Sequence, residues 1–407
     1  MSFLQPRRPL ALSIVACCAL LLPAGAADAP RPRERAASPQ LYEIASDFRR
    51  VDPETLRPVR GERAPLDNDS WAWSFAPGRG RIALVSDSPG PELRLIDLRT
   101  MRVIGDARLA RRGSAWATAW VSPRRLLGVV VTGGDGTLVA GVDPLTRRVL
   151  WRRSLGGSLR VGEAFHNGLV LVLGPRRDVG ASRLVRVSAD GGVRSAPLAQ
   201  IPSGSMGSLD SRPGLAIDHA AARAFVVQAG SPVAEVDLRS LQVREHPPLL
   251  GGRAPGATTG ATRDALWLGK GLLAVTGWDT RRSGGATPAG LTLVDTLDWS
   301  AREIHRRATD AVVWHRTLYA SSYPHSGPGG SGIGLAAYSL AGEKKFHRYG
   351  DEPVSGVQPL GSKVLVMMPK RATQIDARTG RELRRYPRLR FGTPVGGDRI
   401  FPPTADG

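Results

Sequence analysis

The side chains with chemical reach in this 407-residue chain fall into a few groups. Asp67 and Asp69, in LDNDSWAW at 66–73, set two carboxylates two positions apart, and hard cations such as Ca²⁺ take clustered carboxylate and carbonyl oxygens. No Gly or Glu follows at EF-hand spacing, so the competing reading is a solvated turn that leads into a strand. Trp71 and Trp73 lie in the same stretch, and Trp116 and Trp120 lie in SAWATAWVS at 114–122. Rings two or four apart on one strand either stack on a ligand or fill a core. The arginine doublets Arg111-Arg112, Arg147-Arg148 and Arg152-Arg153, with Arg124-Arg125 between them in sequence, would contact a polyanion if they shared a rim. The competing reading is a uniformly basic surface. The seven histidines show neither H-x-H nor H-E-x-x-H spacing, and no G-x-S-x-G occurs. Ser205, in SGSMGS at 203–208, has no base near it in sequence and reads as a loop residue.

The charge balance points the same way as the doublets. Lys plus Arg number 56 against 36 Asp plus Glu, giving +20, and only Lys270, Lys344, Lys345, Lys363 and Lys370 are lysines. Which polyanion such a chain meets depends on its compartment. Arg7 and Arg8, the apolar run from Leu10 to Leu22, Pro23 and Ala24-Gly25-Ala26 read as a secretory signal over residues 1–26, cleaved after Ala26. The run is too short to span a bilayer, which needs roughly 20 residues. Ile14-Val15-Ala16-Cys17 resembles a lipobox, but the residues after Cys17 stay apolar, which favours cleavage over a lipid anchor on Cys17. The expected location is therefore secreted or periplasmic. Cys17 and Cys18 both leave with the signal, so the mature chain has no disulfide, thiolate ligand or cysteine nucleophile. The expected partners are an envelope protein or an anionic lipid or glycan, with nucleic acid not expected and no transmembrane segment in the mature chain.

These residues need a scaffold, and the scaffold is legible as a repeat. After a polar, Pro- and Arg-rich linker at 27–40, one pattern recurs: a β-branched run, an Asp, a turn and a second short run. Asp52, Asp97, Asp143, Asp237, Asp295 and Asp376 mark six copies, and Ser188 and Ser339 mark two degraded ones, at a mean spacing of about 46 residues. Short apolar runs precede them, among them RIALVS at 81–86, RAFVV at 223–227 and TLYAS at 317–321. Strands of four to seven residues in repeats of this length predict an all-β, single β-propeller over 41–403, with four-stranded antiparallel blades. Eight marks predict eight blades, with seven if one degraded copy is miscounted. The Asp is expected to end a strand and accept N–H groups of the next turn. LYEIASDFRRVDPETLRPV at 41–59 reads as the last two strands of a blade, and FGTPVGGDRIFPP at 391–403 as the first two. Pairing of the two ends would close the ring as a monomer and remove its edges.

VDPLTRRVLWRRSL at 142–155 and QIDARTGRELRRY at 374–386 resemble the repeats of PQQ-like, quinoprotein-type β-propellers, and GLAIDHAAARAFVVQAG at 214–230 resembles the YVTN family. The resemblance implies the propeller architecture. For a PQQ-dependent dehydrogenase it also implies a vicinal cysteine disulfide over the quinone; the only vicinal pair lies in the signal, and the Trp after the turn stands only at Trp151, so quinone binding is not expected. The reading that follows is an exported, non-enzymatic binding or scaffolding module of the cell envelope, with an anionic partner. The alternative is an enzyme built at the central channel, quinoprotein dehydrogenase-like or a metal-dependent lactonase or hydrolase.

Overall fold

The computed structural model describes residues 41–396, apart from 45–46, 67–71, 77–79, 87–89, 133–135, 176, 207–208, 249–254, 257, 283–284, 323–331 and 388–392. The segments assigned to signal and linker, 1–26 and 27–40, lie outside the described residues. So do Asp67, Asp69 and Trp71.

The described residues form eight antiparallel sheets arranged as the blades of one ring. Blade 2 shows the plan: Ala72–Phe75, Arg81–Ser86, Glu92–Asp97 and Arg102–Arg108 pair in sequence order. Every first strand touches a neighbouring blade, as Ser158–Phe165 of blade 4 touches Gly214–Asp218 of blade 5, and Gly214–Asp218 touches Thr259–Gly269 of blade 6. Fourth strands such as Arg148–Gly156 and Lys344–Arg348 are largely exposed. First strands therefore line the ring and fourth strands form its outer edge. The apolar runs at 81–86, 223–227 and 317–321 are second strands, buried on both faces between adjacent blades. No described helix is long and apolar enough to cross a membrane.

Seven of the eight marked positions close a third strand and Asp52 directly follows one, Asp47–Val51; the two serines are included, since Ser188 ends Gly180–Ser188 and Ser339 ends Leu335–Ser339. That fixes eight blades rather than seven. Ring closure occurs as expected, but with a different share. Leu41–Ile44 pairs with Thr393–Gly396 on one side and with Asp47–Val51 on the other, and Pro58–Pro65 completes blade 1. The N-terminal segment supplies three strands and the C-terminal segment one. Only two residues separate LYEI from DFRRV, too few to mark a turn by composition, so two strands read as one.

The turn after the third strand does more than reverse the chain. Asp97 Oδ1 accepts from the N–H of Arg99 and Thr100 at 3.1 and 2.9 Å, and from the Thr100 hydroxyl at 3.0 Å. Asp237 and Asp376 hold their turns in the same way. With its carboxylate so engaged, the residue four places on enters the left-handed region: Leu56, Met101, Arg147, Leu241, Trp299 and Gly380 have φ between 51° and 68°. This conformation costs a non-glycine residue roughly 1 kcal/mol or more, so something must offset it. Each such side chain packs on the preceding blade. Leu56 packs with Leu360 and Tyr386 of blade 8, Met101 with Phe48 of blade 1, and Leu241 on the cluster joining blades 4 and 5. The Trp299 ring stacks on His246 of blade 5 at 3.6 Å, and Arg147 donates to the Ile104 carbonyl of blade 2. Where the turn carries glycine, the preceding blade fills the joint instead. A Cβ on Gly191 would lie 2.8 Å from the Trp151 ring, and one on Gly380 would lie 2.6 Å from Phe346. The single Trp of the repeat thus stands where the next turn leaves it room.

Hydrogen bonds from the turns, led by the N–H of Thr55, Thr100, Leu145 and Ser240 and by the Thr379 hydroxyl, hold the carboxyls of Asp52, Asp97, Asp143, Asp237 and Asp376 below the ordinary value. Their stabilisation is fully present above the unfolded carboxyl pKa and is lost as pH falls through the depressed native one. We expect Asp97→Ala to cost about 1 kcal/mol at neutral pH, by analogy with lost side-chain caps. Asp97→Asn should lose less, since it keeps an acceptor. Urea midpoints check both, and the deficit of Asp97→Ala should shrink toward pH 2.

Candidate functional site

A ring of antiparallel blades has two ends. One carries the turns from first to second and from third to fourth strands; the other carries the remaining connections. On the first end, between blades 3 and 4, lies a pocket of about 340 Å³ lined by Ser122, Arg124, Arg125, Asn167, Ser188, Ala189 and Asp190. Three turns build it. Ser122, Arg124 and Arg125 come from the junction of Ser114–Ser122 with Arg125–Thr132, Asn167 from the tight turn before Gly168–Gly174, and the last three from the degraded turn after Gly180–Ser188. Asp190 Oδ1 accepts from the Ser188 hydroxyl and from the Gly192 N–H, which holds its carboxyl below the usual range. Arg148, exposed at the start of the outer strand of blade 3, shares this end of the ring.

The arginines singled out by sequence do not gather in one patch. Arg147 and Arg148 lie on the pocket end, whereas Arg111 and Arg112, both exposed, lie between Arg102–Arg108 and Ser114–Ser122 at the opposite end. Arg152 and Arg153 are on the outer strand of blade 3. The first donates to the carbonyls of Leu109 and Arg108 of blade 2, the second to that of Gly191 of blade 4. Arg194, Arg348 and Arg384 likewise donate across joints to carbonyls of the next blade's turn. Part of the arginine excess is thus a set of clamps between blades, which keep their charge while holding backbone oxygens. Trp73 (1 % exposed) and Trp120 (6 %) are buried in the joints that flank blade 2, and Trp116 packs partly buried against the cluster of blades 3 and 4. Among the described residues no group of three or more His, Cys, Asp or Glu is placed to hold a metal ion.

The other end holds a polar arc that the doublets did not reveal. Three arginines on or beside successive inner strands are almost fully buried, and each is paired with an aspartate about one-third exposed. Arg160 lies 3.3 Å from Asp210, Arg212 3.4 Å from Asp264, and Arg263 2.7 Å from Asp279. Ser205 donates to Asp210 at 2.8 Å and accepts from Arg160 at 3.1 Å, so it has a charged partner after all. Backbone pairing crosses the joint here too: Arg212 N–H donates to Ala261 O and Arg263 N–H to Arg212 O. Blades 4 and 6 are also the two sheets with a fifth strand, Leu209–Ser211 and Ala286–Pro288. Charges paired one to one and locked by backbone bonds make this arc a brace. The available sequence signal was a single Arg inside an apolar strand, which has to find a partner once buried.

One further titratable group is buried in a joint. Glu163 lies on the inner strand of blade 4, with Val161 and Phe165 on the same face, and His219 Nε2 of blade 5 stands 3.5 Å away. Burial pushes its carboxyl up to about 7 against the pull of His219.

The fold is shared with known β-propellers. NirN, a dihydro-heme d1 dehydrogenase solved in complex with DHE, matches with a TM-score of 0.62 at 12 % identity, over 90 % of this chain and 77 % of its own. AztD of Citrobacter koseri matches at 0.55 and 14 %, over 89 % and 99 % of the two chains. BamB from Moraxella catarrhalis matches at 0.50 and 11 %, over 82 % and 89 %. At these identities the likeness extends to the fold alone. No family model and no curated protein sequence matches the chain.

Two outcomes are expected. Arg263→Met removes a buried guanidinium from Asp279 and from the Thr262 and Trp278 carbonyls, and should cost about 3–5 kcal/mol by urea denaturation. Between pH 4.5 and about 7 the native Glu163 holds its proton while the unfolded chain releases it, so stability falls as pH rises through that window. Glu163→Gln should therefore match the parent near pH 4 and be more stable by about 2–3 kcal/mol above pH 7.

Proposed function

We propose that the protein is an exported, non-catalytic binding module of the cell envelope, with repeats of the PQQ-like kind, that engages an anionic partner through the ring end bearing Arg124, Arg125, Arg147 and Arg148. The observation that carries this reading is the pocket between blades 3 and 4: two adjacent arginines, an amide and hydroxyl groups converge there from three turns. The reading of residues 1–26 as a secretory signal favours an extracytoplasmic site, where the available polyanions are lipid headgroups, envelope polymers and acidic glycans. The arc on the opposite end supports a scaffold role, since its carboxylates are tied to guanidinium groups rather than left open for acid or base work.

Immobilised dextran sulfate is a suitable probe, because long-range attraction between exposed charges is screened by salt. The mature chain, starting at Ala27 by mass spectrometry, should bind it and weaken steeply between about 50 and 200 mM salt. Arg124→Ala/Arg148→Ala should lose about tenfold in affinity, two rim charges at roughly 0.7 kcal/mol each. Arg111→Ala/Arg112→Ala, on the other end, should change little. Equal losses in both double variants, salt-independent binding, or turnover of a sugar, lactone or alcohol by the purified protein would each overturn the proposal.

A further inference from the structure

Resting on the anionic reading above, we infer that the pocket between blades 3 and 4 seats a phosphorylated polyol, with the phosphate against Arg124 and Arg125 and the polyol hydroxyls against Asn167, Ser122 and Asp190. Arg125 opens the second strand of blade 3, and its Nη1 is buried without a hydrogen-bond partner. A buried guanidinium N–H left unpaired costs about 1–3 kcal/mol, and the side chain that bears it also lines the pocket. The neighbouring carboxylates do not close on it. Asp143 Oδ1 is taken by the N–H groups of Leu145 and Thr146, and Asp190 Oδ1 by Ser188 and Gly192. Both feel the Arg125 charge, yet neither pairs with it within 4.0 Å among the described residues.

Size and polarity narrow the ligand. A pocket of about 340 Å³ exceeds a bare tetrahedral oxyanion several times over, given that one water occupies about 30 Å³. What remains after the anion is seated is lined by an amide, a hydroxyl and a carboxylate, groups that exchange hydrogen bonds with alcohols. Asp190 also sets direction, because a phosphate beside it would meet like charge, whereas a hydroxyl would find an acceptor. The wall is rigid where it must be: the Trp151 indole donates to the Ala189 carbonyl at 3.0 Å, and its ring covers Gly191, which fixes the turn that carries Asp190. Phosphate monoesters and forked guanidinium donors are well matched in charge and geometry.

Calorimetric titration of the mature protein with sn-glycerol 3-phosphate, inorganic phosphate and glycerol tests this. The phosphomonoester should bind at least tenfold more tightly than inorganic phosphate, and glycerol more weakly than either. Arg125→Gln should weaken glycerol phosphate about tenfold and dextran sulfate only about threefold, the share of one rim charge. Its urea midpoint should stay near that of the parent, since Nη1 has no protein partner to lose. If that variant does not fold, Asn167→Ala, expected to cost about fivefold, takes its place. Asp190→Asn should tighten inorganic phosphate and narrow the preference for the ester. Equal binding of glycerol and glycerol phosphate, or no loss in both Arg125→Gln and Asn167→Ala, overturns the inference. Loss of dextran sulfate binding with glycerol phosphate binding intact would instead overturn only the broader reading. Sedimentation with phosphatidylglycerol vesicles separates the sources: uptake abolished by Arg125→Gln assigns a lipid headgroup, and glycerol phosphate binding without uptake assigns a free ester.

Discussion

The whole ring depends on how one turn is held. In six of the eight blades a carboxylate at the end of the third strand gathers N–H groups of the turn, and the residue four places on lies in a left-handed conformation. A side chain in that position leaves its own blade and lodges on the preceding one. Where it is glycine, the preceding blade reaches in with Trp151, Phe346 or Arg302. Each of the eight joints is filled by one solution or the other. Blade geometry and blade-to-blade packing are therefore set by the same few residues.

That economy explains which parts of the fold could be read from sequence. The Asp positions and the apolar second strands are local features, and all eight blades followed from them, Ser188 and Ser339 included. The sharing of blade 1 was misjudged because LYEI and DFRRV are joined by two residues with no Gly, Pro or Asn to announce a turn. The arc of Arg160, Arg212 and Arg263 was not legible, since Asp264 comes from the following blade, Asp210 lies on an extra fifth strand, and loop lengths differ between copies. The doublets were visible but ambiguous. Alternation along an outer strand sends one arginine of a pair toward one neighbour and its companion toward the other, as Arg152 and Arg153 show. No count of basic residues distinguishes a clamp from a free charge.

The two ends of the ring have different electrostatic characters for the same reason. At the arc, guanidinium groups are buried with a carboxylate each, and hydrogen bonds across blades 5 and 6 fix them in place. At and beside the pocket, the carboxylates of Asp190 and Asp143 are held by their own turns, and neither pairs with Arg125 among the described residues. Turn chemistry thus decides where positive charge is neutralised and where it remains available.

Ring closure by a single C-terminal strand has a consequence for how the chain matures. Leu41–Ile44, the second strand of blade 1, finds its inner neighbour only when Thr393–Gly396 arrives. Without it the inner edge of Leu41–Ile44 would carry an unpaired row of backbone donors and acceptors, open to any extended strand. The single strand Thr393–Gly396 therefore acts as a latch, which seals an edge that would otherwise lie open in the ring.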